Sequence, residues 1–365
     1  MLLNKVFIRL TWFLIMTIVI IACQNNKKKS TPPWVAASNI NNNHHNNSLA
    51  CASWTPSATK VTTITLTGST FFPGTDQIYY YNGYLYTLSQ DTYIYSIEIS
   101  TGSVTQYDTG GYSYLAGVHG STLYAVGNSL SGIAVYSFDL SSSPSTNSSP
   151  DSTTPLSMPV IGSTDNFLLI RMFGTQLILS TALGYIYSLT GPSITGNLPT
   201  VTSGFTYFSF DIDPSTGIGY SVSSNTITST FNYIYLNNTR DTGTFTNSIA
   251  YVDSVHGSTD SDETTKHLSA PAAFDGAGCL FFADVKNVVI KKTSTSATAA
   301  VSLVAGNSTN GVALSRSPGS DGSSGIDATF AAPSAIAYGV YQGAPALFVM
   351  DVDGSGNANL RVIHQ

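Results

Sequence analysis

Residues 82–86 read NGYLY, and residues 119–124 repeat the pattern as HGSTLY. In both runs a glycine turn is followed by leucine and tyrosine. Weaker copies, with a glycine or a small residue before apolar residues, occur at residues 174–178, 217–220, 278–281 and 346–349. Short apolar runs bounded by turn residues predict strands. Their recurrence predicts a structure assembled from similar units.

The spacing of the copies indicates what each unit is. The aligned apolar residues are 85, 123, 177, 218, 280 and 347, so successive copies are 38, 54, 41, 62 and 67 residues apart. The shorter steps match one four-stranded propeller blade, whose repeat is ~40 to 50 residues. The longer steps require insertions, which we assign to the polar segments 141–155, 236–266 and 306–330. We therefore predict an all-β fold, a single β-propeller of about six four-stranded blades over residues 59–365, with seven blades as the alternative.

The last third of the chain contains two copies of a longer pattern. One copy combines SAPAAFD at 269–275 with LFFAD at 280–284, Asn287 and IKK at 290–292. A second combines ATFAAPSAIA at 328–337 with LFVMD at 347–351, Asn357 and LRVI at 360–363. Both copies resemble NHL repeats. This resemblance covers roughly residues 267–365, whereas residues 59–235 resemble propellers only in general. It implies a ring in which a strand from one terminus completes the blade at the other.

The segment 60–68, KVTTITLTG, reads as an outer strand with no inner strands before it. We predict that it closes the ring by pairing with the C-terminal blade, because an open ring would expose strand edges that promote aggregation. The alternative is that this segment merely opens the first blade.

The N-terminus has the pattern of an export signal. Basic residues Lys5 and Arg9 precede an apolar run over residues 10–22, which is shorter than the ~20 apolar residues that a spanning helix needs. The run ends in IIAC at residues 20–23, which resembles the lipobox of bacterial lipoproteins. The resemblance implies that residues 1–22 are removed and that Cys23 is lipidated. The alternative is an uncleaved signal anchor.

Residues 23–58 are polar and lack apolar periodicity, so we interpret them as a flexible tether whose last part can pack on the body. In enterobacterial lipoproteins an Asp after the cysteine favours inner-membrane retention. Gln24 therefore indicates the outer membrane, with the body periplasmic or exposed at the surface of the cell. The predicted membrane contact is the lipid on Cys23.

Composition argues against a disordered chain and against a nucleic-acid-binding protein. Only 9% of residues are charged and 11% are aromatic, which argues for a packed core rather than a disordered chain. The net charge of -6 without a basic stripe argues against nucleic-acid binding. We expect a monomer.

If Cys23 is lipidated, Cys51 and Cys279 remain as an even pair in an oxidising compartment, where a disulfide can persist. The alternative is that Cys279, within the apolar run 279–283, is only a small buried hydrophobic residue.

A candidate calcium loop lies near the C-terminus. Oxygen-bearing side chains alternate along DVDGSGNAN at residues 351–359, at Asp351, Asp353, Ser355, Asn357 and Asn359. This spacing is that of an EF-hand loop, but the twelfth position is Val362 instead of the bidentate acid. The alternative is a polar hairpin turn in which aspartates accept N–H groups.

Catalytic signatures are scarce. The histidines outside the tether are His119, His256, His267 and His364, and no metalloprotease motif or nucleophile elbow occurs. The leading hypothesis is a lipoprotein whose propeller binds or scaffolds a protein or glycan in the bacterial envelope and requires no cofactor. The alternatives are a metal-dependent hydrolase or lyase with its site in the central channel, and an envelope assembly factor.

Overall fold

A computed structural model describes the chain from residue 50 onward, with gaps. The described residues are 50–68, 73–89, 92–129, 132–142, 144, 150–155, 167–173, 176–181, 186–190, 193–197, 205–212, 218–225, 232–238, 246–251, 272–275, 277–284, 288–294, 302–307, 320–353 and 355–365. Only the backbone is described for residues 73–77, 113, 119, 128, 129, 132, 133, 284, 293 and 294, and for the described residues between 154 and 251.

The strands form six sheets, numbered here in chain order. Sheet 1 contains β2 (Thr67–Gly68), β3 (Pro73–Tyr81), β4 (Tyr84–Ser89), β5 (Ile94–Glu98) and β6 (Ser103–Asp108). Sheet 2 contains β7 (Tyr112–His119), β8 (Thr122–Ser129), β9 (Gly132–Asp139) and β10 (Ser152–Pro155). Sheet 3 contains β11 (Phe167–Phe173), β12 (Gln176–Thr181), β13 (Ile186–Thr190) and β14 (Ser193–Asn197).

Sheet 4 contains β15 (Phe205–Ile212), β16 (Ile218–Asn225), β17 (Asn232–Asn238) and β18 (Thr246–Tyr251). Sheet 5 contains β19 (Ala272–Phe274), β20 (Cys279–Asp284), β21 (Val289–Ser294) and β22 (Ser302–Ala305). Sheet 6 contains β23 (Pro333–Tyr341), β24 (Ala344–Val352) and β25 (Ala358–His364), with β1 (Lys60–Ile64) at its edge. Short 3-10 helices occupy Cys51–Ser53 and Gly325–Asp327.

The sheets are arranged in a ring. One edge strand of each sheet contacts the corresponding edge strand of the next sheet. These strands are β3, β7, β11, β15, β19 and β23 in order, and β23 contacts β3 again. The predicted all-β propeller is therefore confirmed. Sheets 1, 2, 5 and 6 include described side chains, whereas sheets 3 and 4 are described by their backbone pairing. Two predicted insertions are partly wrong. Strand β10 lies within 141–155 and pairs with β9, and β18 lies within 236–266 and pairs with β17.

The hydrophobic core lies between neighbouring sheets. One cluster packs sheet 5 against sheet 6, a second packs sheet 6 against sheet 1, and a third packs sheet 1 against sheet 2. Strand β24 serves two of these clusters because its side chains alternate: Leu347 and Val349 point toward sheet 5, whereas Phe348 and Met350 point toward sheet 1. A strand buried on both faces requires a continuous apolar sequence, which β24 has.

Tight turns join β3 to β4 in sheet 1 and β23 to β24 in sheet 6. Asn82 and Gly83 have φ of 46° and 86°, and Gln342 and Gly343 have φ of 52° and 82°. Positive φ at both central residues is the backbone of a type I′ hairpin turn, which matches the twist of the paired strands. Gly83, the glycine of the first sequence copy, is therefore a requirement of this turn.

The N-terminal segment 60–68 contacts both ends of the ring. Strand β1 pairs antiparallel with β25, from Lys60 opposite His364 to Ile64 opposite Leu360. The predicted pairing with the C-terminal sheet is thus present, but it ends at Ile64. Residues Thr67–Gly68 instead pair in parallel with β6 of sheet 1, so the predicted extent of 60–68 is wrong.

Gly102 permits the chain to pass from sheet 6 to sheet 1 at this point. A side-chain carbon there would lie 2.1 Å from the carbonyl oxygen of Thr65, so only glycine admits the crossing chain. The Thr67 N–H then donates to the Gly102 carbonyl at 2.9 Å.

The last part of the predicted tether is folded. Trp54 has no exposed surface, and its ring centroid lies 5.1 Å from that of Phe281 and 6.3 Å from that of Tyr338. Pro56 accepts an N–H bond from Gly325 at 2.8 Å, and the Thr59 hydroxyl donates to the Val304 carbonyl at 2.9 Å. Residues 50–58 therefore belong to the folded body, because burial of the tryptophan outweighs the polar character of the segment around it.

We expect deletion of residues 60–68 to abolish cooperative melting or to cause aggregation, because the outer edges of sheets 6 and 1 lose their partner strands. Circular dichroism melting and light scattering would measure this. Lys60→Ala, which changes an exposed side chain of the same segment, should melt like the wild type. An unchanged melting curve for the deletion would contradict the role of this segment in closing the ring.

Candidate functional site

A pocket of about 610 Å³ lies where sheets 1 and 6 meet. Three turns form its walls, namely residues 82–84, 98–101 and 340–342, and Ile64 and Thr65 of the crossing segment also line it. Its volume is within the ~300 to 1,000 Å³ that is typical of small-molecule sites. Because β1 belongs to one sheet and β2 to the other, the pocket exists only in the closed ring.

Glu98 is the charged group of this pocket. Its Oε1 accepts a hydrogen bond from the Ser100 hydroxyl at 3.0 Å, and its Oε2 accepts one from the Thr101 hydroxyl at 2.8 Å. These bonds hold a half-buried carboxylate in one orientation. Among the described residues that line the pocket, Glu98 is the only one with a formal charge.

Asp139 of sheet 2 occupies the position that corresponds to Glu98. Glu98 is paired with Tyr84 at the start of β4, and Asp139 is paired with Thr122 at the start of β8. Hydrogen bonds from the backbone and hydroxyl of Ser141 lower the pKa of Asp139. In both sheets, therefore, this carboxylate accepts hydrogen bonds from the turn that follows it. Only Glu98 lines the pocket.

Two tyrosines contribute aromatic surface to the pocket. Tyr84 and Tyr341 are half-buried and line it, and the ring of Tyr341 lies 5.3 Å from that of His364. Most of the neighbouring tyrosines are structural: Tyr86 is buried, with its pKa raised by burial, and Tyr80 stacks on Phe348 at 5.6 Å. The tyrosine-rich segment 79–86 is thus mainly packing between sheets.

The pocket was not identified from the sequence. Glu98, Tyr341 and Gln342 have no motif of their own, and they come from turns that are distant along the chain. The one available signal was the pair of turns Asn82-Gly83 and Gln342-Gly343, since matching turns in different units lie on the same face of a propeller.

The cysteine pair forms a disulfide. The Sγ atoms of Cys51 and Cys279 are bonded, with their Cα atoms 5.1 Å apart, and Lys292 donates a hydrogen bond from Nζ to the carbonyl of Cys51. The bond closes a loop with a sequence separation of 228 residues. In the chain-entropy model a loop of this length stabilises the fold by about 5.5 kcal/mol.

The candidate calcium residues are held by protein contacts. Asp353 accepts the N–H groups of Ser355 at 2.8 Å and Asn357 at 2.9 Å, and the Asn357 side-chain amide at 3.1 Å. These bonds, led by the Asn357 side chain, lower the pKa of Asp353. These hydrogen bonds are the ones expected of a polar hairpin turn, which was the alternative to a calcium loop. Calcium binding by Asp351, Asp353, Ser355, Asn357 and Asn359 stays a prediction.

Asp351 instead takes part in a buried ion pair. It accepts the N–H groups of Ala331 at 2.8 Å and Ala332 at 2.7 Å, and its Oδ2 lies 3.7 Å from Nη1 of Arg361. Both side chains have no exposed surface, and burial raises the pKa of Asp351 against the lowering effect of its N–H partners and of Arg361. The sequence did not assign this role to Arg361.

Arg361 is also bound to the segment 320–330. Its Nη2 donates to the Ser320 carbonyl at 2.6 Å and lies 3.3 Å from Oδ1 of Asp321, which is half-exposed. Its guanidinium carbon lies 5.4 Å from the centroid of the Phe330 ring, within the range of a cation–π contact. Asp321 in turn accepts the Thr63 hydroxyl of β1 at 2.6 Å. This cluster links β1, β24 and β25.

Several other predicted residues fall outside the described part of the chain. The signal peptide 1–22, Cys23, His256 and His267 are not described, and only the backbone of His119 is. His364 lies at the ring-closing edge, with Nε2 3.2 Å from the Thr62 hydroxyl. Within the described ranges, no cluster of three or more His, Cys, Asp or Glu side chains is arranged to hold a metal ion. The described residues also contain no helix that is long and apolar enough to span a bilayer.

Comparison with known proteins supports the fold. The crystal structure of an auxiliary nutrient binding protein from Bacteroides thetaiotaomicron is similar to this chain, with a TM-score of 0.53 and 14% identity over 84% of this chain and 76% of that one. A streptogramin B lyase structure is similar with a TM-score of 0.48 and 11% identity, over 84% and 98% of the two chains. No protein-family model and no curated protein matches the sequence. The likeness to the nutrient binding protein supports the β-propeller fold alone, since folds host many functions.

We expect Asp351→Ala to lower the free energy of unfolding by about 3 to 5 kcal/mol, because it leaves the charge of Arg361 buried beside an empty space. Asp321→Ala removes the half-exposed partner of the same guanidinium and should cost less than about 1 kcal/mol. Urea denaturation of both variants would measure the difference. Equal losses would contradict the assignment of Asp351 as the main partner.

Calcium titration separates the two interpretations of the loop 351–359. If Asp353 is a metal ligand, calcium should raise the melting temperature of the wild type but not of Asp353→Asn, because a ligand that binds only the native state stabilises it. From the contacts of Asp353 we expect the same melting temperature in calcium and in a chelator. A rise in the wild type alone would overturn this expectation and establish the calcium site.

Proposed function

We propose that this chain is a lipid-anchored binding protein of the bacterial cell envelope, whose propeller recognises a glycan or a protein. The proposal includes a lipid on Cys23, a location at the outer membrane, a monomeric state and an NHL-like origin for residues 267–365. The pocket between sheets 1 and 6 is the observation that carries the binding role. It is open to solvent and is lined by turns whose backbone is held by adjoining strands.

The rigidity of the surrounding structure supports recognition rather than a purely structural role. The turns that form the pocket extend from strands buried between sheets, so their side chains are already positioned before a ligand arrives. Preorganised side chains lose little conformational entropy on binding, which is the main cost that weakens flexible sites. Loops on a rigid scaffold are common positions for binding residues.

The N-terminal sequence supports the anchor. The apolar run before Cys23 and the polar segment after it are the arrangement of an exported, lipid-modified protein. Two or more acyl chains give stable membrane attachment, whereas a single chain binds reversibly. The disulfide between Cys51 and Cys279 agrees with an oxidising compartment.

Cys23→Ala tests the anchor. In cells supplied with radiolabelled palmitate, we expect the wild type to be labelled and to sediment with membranes. The variant should be unlabelled and appear in the soluble envelope fraction, because the thioether-forming sulfur is missing. Cys51→Ala is the matched control, since it removes a different cysteine and should leave labelling intact. Labelling that persists in Cys23→Ala would contradict the proposed anchor.

The binding role is tested on the detergent-purified full chain by thermal shift, with separate panels of soluble glycans and of envelope proteins. A ligand present at 100 times its dissociation constant stabilises the native state by about 2.7 kcal/mol, which raises the melting temperature measurably. A shift with either panel supports a binding module. No shift with either panel would contradict it.

A further inference from the structure

We propose that the pocket between sheets 1 and 6 binds a neutral saccharide, with Glu98 and Gln342 as its hydrogen-bonding residues and Tyr341 as its apolar surface. The inference rests on the proposed binding function and names the ligand class for one site.

The chemistry of the lining is that of a ligand rich in hydroxyl groups. Asn82 and Gln342 each offer an amide donor and an amide acceptor at the exposed rim, and Glu98 offers acceptors only. A sugar hydroxyl both donates and accepts, so neighbouring hydroxyls of one ring can satisfy this mixture. An ammonium group has donors only, so it could pair with Glu98 but could not accept a hydrogen bond from the amides of Asn82 and Gln342.

The charge of the site selects against acidic ligands. Glu98 is the one formally charged side chain among the described residues of the lining, and the chain as a whole carries a net charge of -6. A phosphate or a uronic acid would place a second negative charge near this carboxylate, which is unfavourable. A neutral saccharide avoids the repulsion and still accepts and donates hydrogen bonds.

The aromatic and apolar groups complete the site. Tyr84 and Tyr341 are half-buried, and Ile64 and Ile99 also line the pocket. A saccharide ring has C–H groups on its faces, which lose unfavourable contact with water when they pack on aromatic or aliphatic carbon. The pocket therefore offers both kinds of surface that a sugar presents.

The positions of the polar groups are set before binding. The Ser100 and Thr101 hydroxyls orient both oxygens of Glu98. Gln342 extends from a type I′ turn with a φ of 52°. Because this φ is unfavourable for a residue with a side chain, glutamine has an energetic cost here that glycine would not have. The turn itself does not require glutamine at this position, whereas a hydrogen bond between the Gln342 amide and a ligand does.

The test is isothermal titration calorimetry on the full chain, purified from membranes in detergent. The probes are neutral malto-, cello-, manno- and xylo-oligosaccharides, oligogalacturonate as an acidic saccharide, and trilysine as a cation. We expect at least one neutral oligosaccharide to bind and the acidic and cationic probes not to bind.

Three variants locate the site. Glu98→Gln should weaken binding of the neutral saccharide about 10- to 100-fold, the loss that corresponds to a hydrogen bond to a charged group. Gln342→Gly should also weaken binding while the melting temperature stays equal or rises, because glycine relieves the positive φ. Asp139→Asn is the matched control: it changes the corresponding carboxylate of sheet 2, outside the pocket, and should leave the affinity unchanged.

Each other outcome overturns the inference. Neutral saccharide binding that survives both Glu98→Gln and Gln342→Gly would place the glycan site elsewhere and leave the proposed binding function intact. Binding of trilysine or oligogalacturonate in place of neutral saccharides would assign the pocket a different ligand class. Absence of binding to every probe would reject the saccharide site, whereas rejection of the proposed function also requires that the protein panel give no thermal shift.

Discussion

The fold depends on main-chain hydrogen bonds made by a single short segment, residues 60–68, to both ends of the ring. A sheet edge presents unpaired N–H and C=O groups, and a ring of sheets that stayed open would expose its packing surfaces as well. Strand β1 supplies the fourth strand of sheet 6, and β2 then pairs with the outer strand of sheet 1. The inner side of the same junction is sealed by close packing, because Gly339 of β23 has no side chain and the Tyr80 ring of β3 lies against it.

The same closure creates the candidate site. Ile64 and Thr65 line the pocket at the point where the chain passes from sheet 6 to sheet 1, and the opposing walls are turns of those two sheets. Residues from both ends of the chain therefore meet in one cavity. The cluster around Arg361 stabilises this region, since it links β1 through Thr63 and Asp321 to β24 and β25. The contacts that close the ring and the proposed binding site therefore lie at the same junction.

Local patterns predicted the elements that depend on neighbouring residues. The glycine turns and the alternating or continuous apolar strands followed from the sequence, because turn geometry and strand periodicity are short-range properties. The pairing of β1 with the last sheet is a long-range contact, and it was predicted from the resemblance to NHL repeats. The disulfide was one of two alternatives, and the structure contains it. The packing of the polar segment 50–58 around Trp54 agrees with the expectation that the last part of the tether can pack on the body. A prediction failed where tertiary contacts override composition, because strand β18 lies within the predicted insertion 236–266.

The sequence by itself determined a repeated all-β architecture, since each unit carries its own turn and its own apolar strands. Only the tertiary structure decided which polar residues share a surface. Glu98, Tyr341 and Gln342 are brought together because the ring returns to its starting point, which places turns about 240 residues apart in the chain against each other. Tertiary structure also gave Asp351 and Asp353 different roles. Asp351 faces the buried Arg361, whereas Asp353 accepts hydrogen bonds from its own turn, and no local pattern specifies that difference.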